Sequence, residues 1–295
     1  MTKPQHANNS TTINGREDDT SAMTVIADGG STKAVWVLLR GGTTVSTAVT
    51  QGINPVHTPA GNIHEILRAR LPQNFLTGGV MHVEFYGAGC IEPFSSVMRR
   101  ALALVFSINE DSVTVDSDIV GAAHALFGNR SGIACILGTG SNSCLFIDGK
   151  IQSQVPPLGY IIGDEGSGAS LGKAFLNALY KRRLPETLVK DFADWSHLGY
   201  NDVIDKVYRQ PDANRFLASL SPFIALNVAK YEPLRDIVKE NFRLFFRNNI
   251  NAYSRRDLPI GAVGSIAWHY ADLLREAAGE EDYTISRIIQ SPLQP

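Results

Sequence analysis

Apolar and β-branched residues fill positions 24–27, 34–39 and 43–50. Asp28-Gly29-Gly30-Ser31-Thr32-Lys33 separates the first two runs, and Gly41-Gly42 opens the turn into the third. Strand, glycine turn, strand, tight turn, strand predicts an antiparallel meander. The period then changes. Ile63, Ile66 and Leu67 recur at helical spacing within 59–70, with Thr58 as a cap and Pro59 at the first helical position. A strand over 80–86 runs into Gly87-Ala88-Gly89-Cys90, a helix is predicted over 93–106, a strand over 112–115 and a helix over 118–127. Three antiparallel strands followed by alternating helices and strands predict a mixed α/β domain.

The pattern restarts at 132. A strand over 132–137, the turn Gly138-Thr139-Gly140-Ser141, a strand over 144–147, the hairpin signal Asp148-Gly149 and a strand from 150 echo the first fifty structured residues. Such a restart suggests two related halves facing a common cleft. From Glu165 to about Phe246 the chain reads as mostly helical, without a chemical motif. A strand over 259–263, the turn Gly264-Ser265 and a helix over 266–278 close the pattern.

Residues 1–22 are polar and hold almost nothing apolar to bury, so disorder is expected there. The segment lacks the apolar region of a secretory signal. Met23, directly before the first strand, is expected to be the natural start. Length and charge narrow the class further. The 295 residues suffice for one large domain or two medium ones, and the net charge of -2 argues against a nucleic-acid binder. No apolar run approaches membrane-spanning length. Cys90, Cys135 and Cys144 lack C-x-x-C spacing, and two lie in strand-like runs, so buried reduced thiols of a cytoplasmic protein are expected.

The candidate chemistry sits where apolar runs end in glycine. Gly29 and Gly30 let the backbone expose N–H groups toward a phosphate. Ser31 and Thr32 add hydroxyls, Lys33 a cation, and Asp28 a carboxylate able to hold magnesium directly or through water; a plain capped hairpin explains the same residues. Gly138-Thr139-Gly140-Ser141-Asn142-Ser143 repeats the theme; it lacks the Gly-Lys-Ser ending of a Walker loop, and strand rather than helix follows, unlike a dinucleotide fingerprint. Asp118 falls in the first turn of a helix, where an anion is favoured, though Asp116, Ser117 and Asp118 all qualify as caps. Asp164 and Glu165 stand among Gly163, Gly166 and Gly168, a layout suited to a small ligand against backbone. Asn54 is a turn former or a ligand donor, and His57 reads as a loop histidine.

In this order the motifs resemble the actin-like sugar-kinase superfamily, and within it the N-acetylglucosamine kinase and BadF-type ATPase family. Asp28 to Lys33 is similar to its first phosphate motif, Gly138 to Ser143 to the second and Gly261 to Ser265 to the adenosine motif. The resemblance implies two ribonuclease-H-like domains, 23–117 and 118–295, closing over MgATP. The second would carry the helical insertion, and its last helix would pack back on the first domain. It implies that Asp118 is the general base. Asn54, Gly159 and Asp164 would hold the sugar, with Gly87 and Gly89 lining its pocket and Asn142 beside it. ATP would be bound by Gly30, Ser31, Thr32, Lys33, Gly138, Thr139, Gly140, Ser141 and Gly264, and magnesium by Asp28.

The implied activity is ATP-dependent phosphorylation of an amino sugar, N-acetylglucosamine first, at its 6-hydroxyl. Where the family's sugar loop carries a Trp, this chain has Leu158, Gly159 and Tyr160, so glucosamine and N-acetylmuramate stay open. The alternative is an ATPase driving an electron-transfer or radical-enzyme partner, whose relatives need a cysteine in the acidic glycine turn; none stands in 163–168. A sugar-responsive regulator finds no added DNA-binding helix pair. The expected partner is a small sugar, with no nucleic acid and no membrane, and a homodimer is left open.

Overall fold

The computed structural model describes residues 22–30, 33–56 and 58–293. Of the segment expected to be disordered (1–22), residues 1–21 lie outside the described residues, as do Ser31, Thr32 and His57. The chain divides into two compact units, one ending at Gly128 and the other running from Asn129 to Gln294.

In the first unit, β1 (Met23–Gly29), β2 (Lys33–Arg40) and β3 (Thr43–Gln51) form the antiparallel meander read from the sequence. Alternating burial along β1 follows from its period of two. Trp36 on β2 is fully buried, and its indole N–H donates to Thr50 Oγ1 at 2.9 Å across the β2–β3 pair. After α1 (Ala60–Arg70) and α2 (Gln73–Thr77) come β4 (Val80–Gly87), α3 (Phe94–Phe106), β5 (Val113–Ser117) and α4 (Asp118–Phe127). β4 and β5 run parallel to β1, giving the order β3-β2-β1-β4-β5. Phe85 joins the core shared with Ile63 and Leu67 of α1 and Met98 and Leu102 of α3. Tyr86 points to the other face, where α4 comes so close that a side chain on Gly121 would lie 2.7 Å from it. By its contacts α4 belongs to the first unit, whereas the sequence reading opened the second domain at Asp118.

The second unit starts with the meander β6 (Gly132–Leu137), β7 (Ser141–Ile147) and β8 (Lys150–Gln154). Seven helices follow among the described residues: α5 (Gly159–Ile162), α6 (Gly168–Tyr180), α7 (Glu186–Ser196), α8 (Tyr200–Tyr208), α9 (Ala213–Ala218), α10 (Ser221–Asn227) and α11 (Glu232–Asn248). The unit ends with β9 (Ile260–Val263), α12 (Ser265–His269), α13 (Ala271–Glu280) and β10 (Ile285–Ile289). Read from β8, the sheet order is β8-β7-β6-β9-β10, with β9 and β10 parallel to β6. This is the first unit's order and polarity repeated, so the restart in the sequence is a structural duplication. The single helix expected over 266–278 is broken at Tyr270, whose hydroxyl donates to the Ser221 carbonyl at 2.8 Å. β10 was not foreseen, and α13 packs on α11.

Helix α11 organises this unit. Leu234, Val238, Phe242, Phe245 and Phe246 form its buried stripe, each stabilising by roughly 1.5–3 kcal/mol on full burial. Its outer side is laced to α13: Arg235 reaches Glu276 at 2.5 Å, Arg243 reaches Glu280 at 2.6 Å and Arg247 reaches Glu281 at 2.7 Å. Hydrogen bonds from Arg243 and Lys239 hold the Glu280 carboxyl down to about 2. A carboxyl depressed in the folded state stabilises fully above its unfolded pKa and loses that contribution as pH falls through the folded value. The pairs are largely exposed, so each adds at most about 1 kcal/mol. Glu280→Gln should therefore lower Tm by about 1–4 °C at pH 7. In calorimetry that gap should narrow toward pH 2 and in 1 M salt.

Candidate functional site

The parallel strands of the first unit end side by side. Gly29 pairs in register with Gly87, and Gly87 with Ser117, so the carboxyl ends of β1, β4 and β5 share one edge. In open α/β sheets ligands bind beyond such ends. The Ala88 N–H donates to the Gly29 carbonyl at 2.9 Å, tying the Gly87–Gly89 turn to the end of β1. Asp28 is partly exposed and Lys33, opening β2, is exposed. Asn54 arrives at the same turn. Its Oδ1 accepts from the Val56 N–H at 3.0 Å and lies 2.2 Å from where a side-chain carbon on Gly89 would sit.

Asp118 opens α4 after Ser117, which makes no side-chain cap. Its Oδ1 accepts from the Ile119 N–H at 2.9 Å. Burial, with added repulsion from Asp118 and Asp116, pushes the Cys90 thiol up to about 12, which puts the end of the Gly87–Cys90 turn within the field of both carboxylates. Burial also raises the Asp116 carboxyl, against the pull of His124 and Arg99. The first unit thus brings Asp28, Gly30, Asn54, Gly87, Gly89 and Asp118 to one end of its sheet.

In the second unit Leu137 pairs with Ser141 to close the β6–β7 hairpin, and the Gly138 N–H donates to the Gly140 carbonyl at 3.0 Å. The acidic turn folds against it. The N–H groups of Gly168 and Ala169 donate to the carbonyls of Gly138 at 2.8 Å and Thr139 at 3.1 Å. Asp164 takes a left-handed φ of 59°. Its Oδ1 accepts from the Ser141 N–H at 3.4 Å, and its Oδ2 lies 3.0 Å from where a side chain on Gly140 would begin. Burial raises this carboxyl, while the Ser141 N–H and Lys173 lower it. Asp164, which the resemblance assigns to the sugar, and Gly140 and Ser141, which it assigns to ATP, are therefore neighbours.

Asn142 on β7 turns to the sheet, its Oδ1 accepting from Gln154 Nε2 and the Ser143 N–H, both at 2.9 Å. Gly159 opens α5 with a φ of 75°, and Lys173 Nζ donates to the next carbonyl, that of Tyr160. Gly264 joins the hairpin from the other side. With a φ of 121°, it leaves the Leu137 carbonyl oxygen 2.3 Å from where a side-chain carbon would be.

Residues without a sequence motif support this constellation. The Tyr253 hydroxyl meets Ser143 Oγ at 2.9 Å and accepts from the Val155 N–H at 3.0 Å. Asn241 on α11 accepts from the Gly166 N–H and donates to the Ser167 carbonyl, both at 3.2 Å. The signal that could have exposed Asn241 is a polar residue inside the apolar stripe of a helix. No group of three metal-ligating side chains occurs among the described residues, and no helix among them is long and apolar enough to cross a membrane.

Two units repeating one five-stranded topology, each with a glycine hairpin on its first strand pair, define the actin-like ATPase fold of sugar kinases. A solved structure described as "Putative N-acetylglucosamine Kinase" from Porphyromonas gingivalis is 39% identical, with 92% of this chain and 95% of that chain covered and a TM-score of 0.88. The chain belongs to the N-acetylglucosamine kinase family of actin-like sugar kinases. A second structure so described, from Chromobacterium violaceum, is 18% identical over 90% of this chain and 95% of that one, with a TM-score of 0.69. A ROK family glucokinase from Streptomyces griseus, solved with glucose and AMPPNP, is 14% identical over 92% and 94%, with a TM-score of 0.54. At those two identities the likeness is one of fold. No family model matches the chain, and no curated protein matches it.

The closeness of Gly264 to β6 gives a direct test. Gly264→Ala combines a backbone strain of about 1–3 kcal/mol with a clash against a carbonyl, and should destabilise the chain by about 2–5 kcal/mol in chemical denaturation. Unchanged stability would mean that the turn does not pack as described.

Proposed function

We propose that the protein transfers the γ-phosphoryl group of ATP to the 6-hydroxyl of N-acetylglucosamine. The observation that carries this reading is the 39% identity to a structure described as a putative N-acetylglucosamine kinase, covering 95% of that chain. The site is consistent with it. In this reading Asp118 is the general base, taking the proton of the sugar hydroxyl as the oxygen attacks phosphorus. Asn54 and the Gly87–Gly89 turn orient the sugar ring, and Asp164 and Gly159 complete its contacts. The N–H groups and hydroxyls of Gly138, Thr139, Gly140 and Ser141, with those of Gly30, Ser31, Thr32 and Lys33, hold the phosphates, and Gly264 lies by the adenosine. Phosphoryl transfer asks a protein chiefly for positioning and charge neutralisation, which backbone N–H groups supply.

Magnesium fits the chemistry of Asp28, which offers hard carboxylate oxygens, the donors that this cation takes, near the carboxyl end of β1. When bound, magnesium neutralises phosphate charge; Asp28 is the residue proposed to hold it, directly or through water. A cytoplasmic location is part of this reading, and the need for ATP together with three free, buried thiols supports it. Those thiols also weigh against the electron-transfer ATPase. Cys90, Cys135 and Cys144 are at most 3% exposed, so none stands at a surface where a cluster shared between subunits would need it.

Asp118→Ala should lower kcat by about two to four orders of magnitude, the range for a general base, with a far smaller change in KM for ATP. A coupled ADP-release assay across hexoses and N-acetylhexosamines reads both the variant and the substrate. Near-wild-type turnover in the variant would remove the mechanism, and ADP release indifferent to the sugar would remove the function.

A further inference from the structure

We infer that Asn241, in the long helix α11, is a positioning residue for phosphoryl transfer, acting through the turn 164–168 and touching neither substrate. The inference rests on the proposal that Asp164 and the β6–β7 hairpin serve the reaction. Asn241 is 3% exposed, and its two hydrogen bonds are of opposite sense: Oδ1 accepts from the Gly166 N–H and Nδ2 donates to the Ser167 carbonyl. One turn further along the same helix face, the Phe245 Cβ lies 2.9 Å from where a side chain on Gly166 would begin. With its φ of 79°, Gly166 is therefore fixed by α11 in both conformation and place.

The other side of the turn carries the chemistry. Gly168 and Ala169 bond the hairpin carbonyls, and Asp164 meets the hairpin at the Ser141 N–H. The turn is thus a middle layer whose registration on α11 sets the relation between the Asp164 carboxylate and the phosphate-facing amides. A displacement of about 1 Å in such a relation can lower turnover a hundredfold. The demand at position 241 is specific, because one side chain must accept and donate at once. Asn does so at every pH. An Asp does so only when protonated; once ionised it turns an acceptor toward the Ser167 carbonyl.

This gives a test that separates positioning from mere folding. Asn241→Asp, Asn241→Ser and, as a control, Arg235→Ala should be compared with the wild-type chain. Arg235 sits on the same helix but on its outer side, where it pairs with Glu276 of α13 and not with the turn 164–168. Melting temperature, kcat and KM for sugar and ATP are measured from pH 6 to 8 under conditions in which each variant is folded. Expected at pH 8 is a fall in kcat/KM of about 10- to 100-fold for Asn241→Asp and Asn241→Ser, with Arg235→Ala within about twofold. Burial raises a carboxyl's pKa, so the ratio of Asn241→Asp to wild type should rise as pH falls, whereas the Asn241→Ser deficit should not recover. Should Asn241→Asp fail to fold, Asn241→Ser alone decides: folded protein with wild-type kcat/KM overturns the inference. So does an Asn241→Asp deficit that is the same at every pH. A wild-type chain that phosphorylates no sugar overturns the proposed function beneath it instead.

Discussion

Two carbonyls of the β6–β7 hairpin, those of Gly138 and Thr139, accept the N–H groups of Gly168 and Ala169, and the second unit's half of the site depends on that pair. Backbone groups buried at such a junction must be paired, so the hairpin and the turn cannot move apart without exposing donors and acceptors together. The pairing carries Asp164 to the hairpin, and it starts α6, whose Ser167 cap accepts from the Ser170 N–H at 3.1 Å. Helix α11 then closes the arrangement from the opposite side through Asn241 and Phe245. The ion pairs between α11 and α13 are peripheral by comparison, because exposed pairs contribute little each. The buried aromatic stripe of α11 is what fixes the helix that fixes the turn.

Duplication supplied two copies of one sheet, and their functional ends diverged. In each unit three parallel strands end together beside the first strand pair, at the same topological place. The first unit adds Asp118 at a helix start and Asn54 against Gly89. The second adds Asp164 and the Gly264 turn around its hairpin. Only the second received the insertion between its third and fourth strands, and Asn241 lies within that insertion. A region without a chemical motif is in this way part of the machinery.

The duplication was legible because period two and glycine turns are local signals. Helix 118–127 and strand 132–137 match the observed α4 and β6 residue for residue. The break at Tyr270 was not legible, since the hydrogen bond from its hydroxyl to the Ser221 carbonyl spans forty-nine positions. Nor was β10, whose Ile285, Ser286 and Arg287 mix polar and apolar residues on a partly exposed edge and pair only with β9. The glycine-rich stretches announced the candidate site, but not which of their side chains meet. Gly140 and Asp164, twenty-four positions apart, become neighbours through backbone pairing that no spacing rule encodes. Asn241 was hidden for the same reason: its importance lies in what it faces.

In the proposed reaction phosphate leaves ATP for a sugar hydroxyl rather than for water. Phosphorus NMR of the purified chain with ATP, magnesium and N-acetylglucosamine tests it most directly, because it identifies the phosphate acceptor as well as the rate. One sugar 6-phosphate is expected for each ADP formed, with almost no turnover without sugar. Inorganic phosphate accumulating with ADP at the same rate, whether or not the sugar is present, would contradict it.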